Sequence, residues 1–171
     1  TLNRPDVLNA INTTMAEEIR KQLEQWEMDD DIGVMILTGA GRAFCSGADI
    51  ANFEQRINDK TSKPNPASDS WISRLRTFSK PTICAINGVA VGLGLTCTLL
   101  CDIRLATPNA KLSFRFVRLG LTPEAGSTHF LPRLVGMGRA AELMFTGRFF
   151  TGDEAKEVGL VLAVHSQEEL L

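Results

Sequence analysis

Apolar residues in this chain come in blocks separated by polar turns, and the densest block spans residues 81–102, PTICAINGVAVGLGLTCTLLCD. Ile83, Ile86, Val89 and Val91 stand among small residues between a Pro start and a Gly-rich end, which predicts strand character, with a turn through Gly88 and Val89. Gly92-Leu93-Gly94 then leads into 95–100, a run too uniformly apolar for a surface, which predicts a buried helix. The first N–H groups of a helix have no partners inside it, so strand, glycine turn and buried helix together present free backbone donors. Apart from Cys, Thr and the closing Asp102 the block holds no acid, base or nucleophile, so its contribution is expected to come from its backbone.

Elsewhere the pattern alternates strands with helices. Thr14 to Glu17 reads as a capping box, followed by Met15, Ile19, Leu23 and Trp26 at helical spacing. Residues 33–38 form a continuous apolar run that predicts a strand in a sheet covered on both sides. A small-residue loop, 39–49, leads to a predicted helix over 50–60 with Phe53 and Ile57 on one face. The stretch 61–69, with two prolines among polar residues, predicts an exposed, mobile connection before a helix at 70–78. Further strands are expected at 103–106, 111–116 and 160–164. Further helices are expected from Thr122-Pro123-Glu124, over 138–145 closed by Gly147, and from the Thr151 to Glu154 capping box to Gly159. Pro132 is expected to break or kink the first of these. The fold class is therefore α/β, and no sequence period marks a repeat protein.

The 171 residues suffice for one domain with a substantial core. A net charge of -2 argues against nucleic acid or an anionic membrane as partner, and no uninterrupted apolar run is long enough to span a bilayer. Cys45, Cys84, Cys97 and Cys101 lie in apolar or small-residue surroundings, which predicts reduced thiols in a cytoplasmic compartment. Cys97 and Cys101 share an i, i+4 face, but with His129 and His165 both distant in sequence they read as buried small hydrophobes and no metal is expected.

Gly39-Ala-Gly41-Arg-Ala-Phe44 approaches the dinucleotide fingerprint but has Phe44 at the third glycine, leaving a plain tight turn or a loop whose N–H groups near Ala48 approach a ligand. No G-x-S-x-G elbow occurs, and His129 beside Phe130 reads as an ordinary packed or surface residue. Glu124 has two readings, a carboxylate favoured by the helix dipole or a base fixed beside Gly126-Ser127. Asp102 and Arg104 read as a polar anchor at a strand entry.

Six stretches, in order, resemble segments of the crotonase superfamily, the enoyl-CoA hydratases and isomerases: NRPDVLNAIN, LTGAGRAFCSGADI, KPTICAINGVAVGLG, CDIRLA, GLTPEAGSTHFLPRLVG and FTGRFFTGDEAKEVGLV. The resemblance implies a spiral of repeated ββα units forming one core domain over 1–171, assembled as a homotrimer or hexamer. It also implies an acyl-CoA thioester substrate, a place in fatty-acid metabolism and no cofactor beyond the substrate's coenzyme A. The thioester oxygen would be held by the backbone N–H groups of Ala48 and Leu93, an oxyanion hole. Asp6, Val7, Leu8 and Ala10 match the segment lining the CoA path, and Ser46, Asp49, Ile50 and Ala51 the donor loop beside it.

Where family hydratases carry two water-handling glutamates, this chain has Thr96 and Phe116, expected to line a drier acyl pocket. Glu124 matches the single acid of some family isomerases. The resemblance thus implies a shift of a 3-enoyl to a 2-enoyl double bond with Glu124 as proton shuttle. Hydration with Glu124 handling water alone, and a non-catalytic acyl-CoA-binding scaffold, stand as alternatives. The abrupt start and the stop at Leu171 lead to the expectation of a fragment at both ends, with the C-terminal helical region missing.

Overall fold

The computed structural model describes residues 1–49 and 70–171; the predicted helix over 50–60, the connection 61–69, and Ile50 and Ala51 lie outside the described residues. Among the described residues seven strands form two parallel sheets. The larger takes β1 (Met35–Leu37), β3 (Thr82–Ile86), β5 (Ile103–Ala106) and β7 (Ala163–Val164), in that order. The smaller takes β2 (Ala43–Cys45), β4 (Val89–Val91) and β6 (Leu112–Ser113). Each successive strand pair thus sends its first member to one sheet and its second to the other, which is the ββ part of a repeating spiral.

The run read as one strand through Val91 is therefore two strands, bent at Asn87-Gly88. The bend brings Gly88 so near residue 42 that a Cβ there would stand 2.3 Å from the Arg42 carbonyl oxygen. Buried Asn87 fixes the crossing, accepting from the Gly39 N–H at 3.1 Å and donating to the Gly41 carbonyl at 3.0 Å. The structural repeat, which no sequence period announces, is carried by this bend and its counterparts.

Helix α1 (Thr13–Glu27) is capped by Asn12, whose side chain accepts from the Met15 N–H, and not by the expected Thr14. It packs against α2 (Trp71–Thr77), which Ser70 caps. Met35 and Leu37 face these helices across a cavity of about 530 Å3. Ile36, on the opposite face of β1, is 48% exposed, and its neighbour two strands away, Ile103, is 39% exposed. The expected two-sided cover of this sheet is thus corrected: the alternate residues of β1 and β5 are partly open.

After β4 comes α3 (Leu93–Thr96), which tightens into a 3-10 turn, Cys97–Leu100, so the buried helix expected here is one α-turn followed by 3-10 geometry. The expected strand over 111–116 is only β6, because a 3-10 segment begins at Arg115. Three helices follow: α4 (Ser127–Val135), α5 (Met137–Thr146) and α6 (Gly152–Glu157). The expectation of a missing C-terminal helical region is corrected accordingly. Their sequence signals act as read for the last two, since α5 ends on Gly147 at φ 53° and Thr151 accepts from the Glu154 N–H. Pro132 is accommodated inside α4.

The helix expected from Thr122-Pro123 does not start there. Ala125 and Gly126 adopt φ of 53° and 69°, which interrupts any helical run, so α4 begins at Ser127. Glu124 consequently sits in a turn before the helix, and the dipole-capping reading of its carboxylate loses its basis. Among the described residues no helix is long and apolar enough to cross a membrane.

Candidate functional site

Ala48 follows β2 on a loop tied to the N-terminal segment. The Ile11 N–H donates to the Gly47 carbonyl at 2.8 Å and the Asp49 N–H donates to the Ile11 carbonyl at 3.0 Å, while Ser46 donates its N–H to Leu8 at 2.9 Å. Ile11 and Asp49 thereby leave the Ala48 N–H between them without an acceptor among the described residues. Leu93 is the first residue of α3, so its N–H is one of the unpaired donors of a helix start, and it too meets no acceptor among the described residues.

Two close backbone approaches bring together the segments that carry these donors. A Cβ on Gly47 would stand 2.9 Å from the Val91 carbonyl oxygen and 3.8 Å from the Leu93 nitrogen, and Gly47 itself has φ 109°. A Cβ on Gly94 would stand 2.2 Å from the Cys45 carbonyl oxygen. Glycine at both positions lets the end of β2 and the start of α3 lie in contact.

Asp6 and Val7 are exposed on a 3-10 turn (Pro5–Val7), Leu8 is half-buried and Ala10 buried. Asp49 pairs with Arg4 at 2.9 Å, and Arg4 also donates to the Ala10 carbonyl at 2.6 Å. The Asp49 carboxylate thus ties the donor loop to the N-terminal segment. Asn9 completes the joint. Fully buried at φ 56°, it donates to the Ala40 and Ala43 carbonyls and accepts from the Arg4 N–H at 2.8 Å. The roles of Arg4, Asn9 and Asn87 as joints were not read from the sequence, where Asn9 stands only as a residue keeping the opening extended or turned; asparagine next to a turn, able to adopt positive φ, is the signal for the rest.

Thr96 is fully buried with its hydroxyl 3.4 Å from the Leu93 carbonyl, and Phe116 is buried in the core. Neither lines the cavity between α1 and α2. Ile11 and Cys97 do line it, one beside Ala48 in the backbone ladder and the other one helical turn beyond Leu93.

Glu124 is reached by solvent yet hemmed in by protein on enough sides that burial pushes its carboxyl above the ordinary range. No hydrogen bond or ion pair engages its carboxylate among the described residues. It lies near the end of the donor helix: α4 packs against the 97–100 turn, and the Cys97 thiol, pushed far up chiefly by burial, also feels the Glu124 charge. A carboxyl held above its ordinary range and unpartnered backbone donors are the kinds of group that enolate chemistry uses.

The remaining candidates have structural partners. Asp102 accepts from the Thr82 N–H and hydroxyl, both at 2.8 Å, which holds its carboxyl below the ordinary range. Arg104 is buried and donates to the carbonyls of Leu160, Thr98 and Cys101, so the anchor reading of both residues holds. All four cysteines are buried and free. His129 stacks edge-on against Phe130. Among the described residues no three metal-ligating side chains converge.

The family model for enoyl-CoA hydratase/isomerase matches residues 1–171. The chain is 40% identical over 181 residues to the 1,2-epoxyphenylacetyl-CoA isomerase of Escherichia coli, covering 99% of this chain and 66% of that one. It is likewise 40% identical over 172 residues to the short-chain-enoyl-CoA hydratase of Clostridium acetobutylicum, covering 100% of this chain and 66% of that one. The crystal structure of an enoyl-CoA hydratase from Mycobacterium marinum superposes with a TM-score of 0.89 at 37% identity, over 99% of this chain and 79% of that one. With its two parallel sheets, ββα spiral and this likeness, the chain belongs to the crotonase superfamily, the enoyl-CoA hydratases and isomerases. It spans about two thirds of the length of the two curated relatives, 66% of each.

Proposed function

We propose that this protein performs acid–base chemistry on an enoyl-CoA thioester, with the thioester oxygen on the N–H groups of Ala48 and Leu93 and Glu124 as the acid–base group. The observation that carries the proposal is the pair of adjacent, unpartnered backbone donors, held together by Gly47 and Gly94. Preorganised donors of this kind stabilise an oxyanion by several kcal/mol (about 3–4 per donor) because they need no reorganisation as charge develops. A carboxyl held above its ordinary range accepts and returns a proton near neutrality more readily than an ordinary one.

Two reactions use this arrangement. Hydration, the alternative at the sequence level, has the stronger comparative support, since two of the three relatives above carry hydratase names. The double-bond shift draws on the lone carboxylate, with Thr96 and Phe116 in place of further acids, and on the isomerase name of the E. coli relative. The N-terminal segment, Asp6, Val7, Leu8 and Ala10, with Ser46 on the donor loop, borders the proposed CoA path. Assembly as a homotrimer or hexamer belongs to the same proposal, and the open residues Ile36 and Ile103 offer apolar surface for it.

Product identification tests the proposal. Wild-type protein is given 2-enoyl- and 3-enoyl-CoA esters beside Glu124→Gln. A 3-hydroxyacyl-CoA product supports hydration, and a conjugated 2-enoyl product from the 3-enoyl ester supports the shift. Turnover unchanged in Glu124→Gln overturns the role of Glu124. Binding of CoA esters without turnover by the wild type points to the scaffold reading.

A further inference from the structure

Among the described residues one buried side-chain polar atom has no partner, the hydroxyl of Ser127. Ser127 is 0% exposed and opens α4, a nine-residue helix. Its N–H donates to the Glu124 carbonyl at 2.9 Å, so the turn through Ala125 and Gly126 closes Glu124 and Ser127 onto one another. That turn is built at some cost, since Ala125 takes a positive φ that disfavours any residue with a Cβ. The result is a carboxylate just before α4 and a hydroxyl on its first residue, three positions apart in sequence and both without side-chain hydrogen-bond partners among the described residues, and α4 packs against the turn that ends the donor helix.

Buried hydroxyls are normally satisfied, and an ordered water needs two or more polar partners. Neither Thr96 nor Phe116 supplies one: the Thr96 hydroxyl is turned to its own backbone and Phe116 has no polar group. We propose that Ser127 and Glu124 together hold the water molecule that adds to a 2-enoyl-CoA thioester. The inference rests on the hydration reading above.

The step balances without any other reactant. The water oxygen forms a bond to C3 while the C2=C3 electron pair moves toward the thioester oxygen on Ala48 and Leu93. Glu124 takes the proton leaving the water and returns it to C2 as the enolate collapses. Ser127 keeps its proton and contributes a hydrogen bond that fixes the water's position.

The test is Ser127→Ala, assayed for hydration of a 2-enoyl-CoA, for conversion of a 3-enoyl-CoA, and for thermal stability. Hydration should fall about 100-fold in kcat, the loss a misplaced reactant typically produces. Double-bond shifting, which needs no water, should stay within about twofold of wild type, and CoA-ester binding should persist. The melting temperature should hold or rise, because the variant removes a buried hydroxyl that has no partner. Undiminished hydration by Ser127→Ala overturns the proposal while leaving the hydration reading intact. A melting temperature several degrees lower also overturns it, by revealing a partner within the protein. Wild-type protein that forms no 3-hydroxyacyl-CoA defeats the hydration reading and this inference with it.

Discussion

Gly94 lies so close to Cys45 that a Cβ at position 94 would stand 2.2 Å from the Cys45 carbonyl oxygen. This contact between the first turn of α3 and the end of β2 sets the Leu93 N–H beside the loop that carries Ala48. Neither partner can yield easily, because both are backbone in the buried core.

Gly94→Ala should therefore cost stability and activity together. Overpacking against backbone costs about 1–3 kcal/mol or more, read as a lower urea midpoint with an unchanged slope. The folded fraction should bind CoA esters but turn them over far more slowly, because the Leu93 donor has moved. Wild-type turnover in Gly94→Ala would show that the close approach does not position the donor.

Asn9 is a joint of a different kind, satisfying three backbone groups with one side chain. Asn9→Ala leaves the Ala40 and Ala43 carbonyls without its amide and keeps an L-residue at positive φ. Buried groups left unsatisfied cost about 1–3 kcal/mol each, so the melting temperature should drop by several degrees. Asn9→Asp keeps the acceptor for Arg4 but loses both donations, and should be nearly as unstable.

The Glu124 carboxyl, raised by burial, predicts a pH dependence of definite sign. The folded protein holds this proton more tightly than the unfolded chain. The stability it contributes is fully present below the ordinary carboxyl range and is lost as pH rises through the raised value. Melting curves of wild type and Glu124→Gln should converge at low pH and separate above it, with the variant the more stable. The basic form of Glu124 is needed for proton removal, so the acidic limb of the rate profile should lie above the ordinary carboxyl range. Parallel melting curves across the whole range would contradict this.

Much of the fold was legible because its signals are local. Thr151 and Ser70 cap the helices that follow them, Gly147 ends α5, and 103–106 is a strand with the expected bounds. The bend at Asn87-Gly88 was legible only as a turn through Gly88 and Val89 within a single strand run; the crossing it makes with Arg42 and Gly41, some 46 positions away, was not. The start of α4 was misplaced for a related reason. Thr122-Pro123-Glu124 is a sound helix opening by itself, and only the positive φ at Ala125, allowed by the surrounding packing, moves the start to Ser127. The donors at Ala48 and Leu93 were placed by resemblance, and the free Ser127 hydroxyl became visible only once its surroundings were known.

Glu124 and the two backbone N–H groups are proposed to act on the same thioester to form an enolate. Exchange of the C2 protons of a saturated acyl-CoA in D2O, followed by NMR, tests this directly and does not depend on whether hydration or isomerisation is the natural reaction. Wild-type protein should exchange these protons, and Glu124→Gln should bind the ester equally well while exchanging at least about 100-fold more slowly, as expected for loss of a general base. No exchange by the wild type, or exchange undiminished in Glu124→Gln, would show that Glu124 does not act as the base on this thioester.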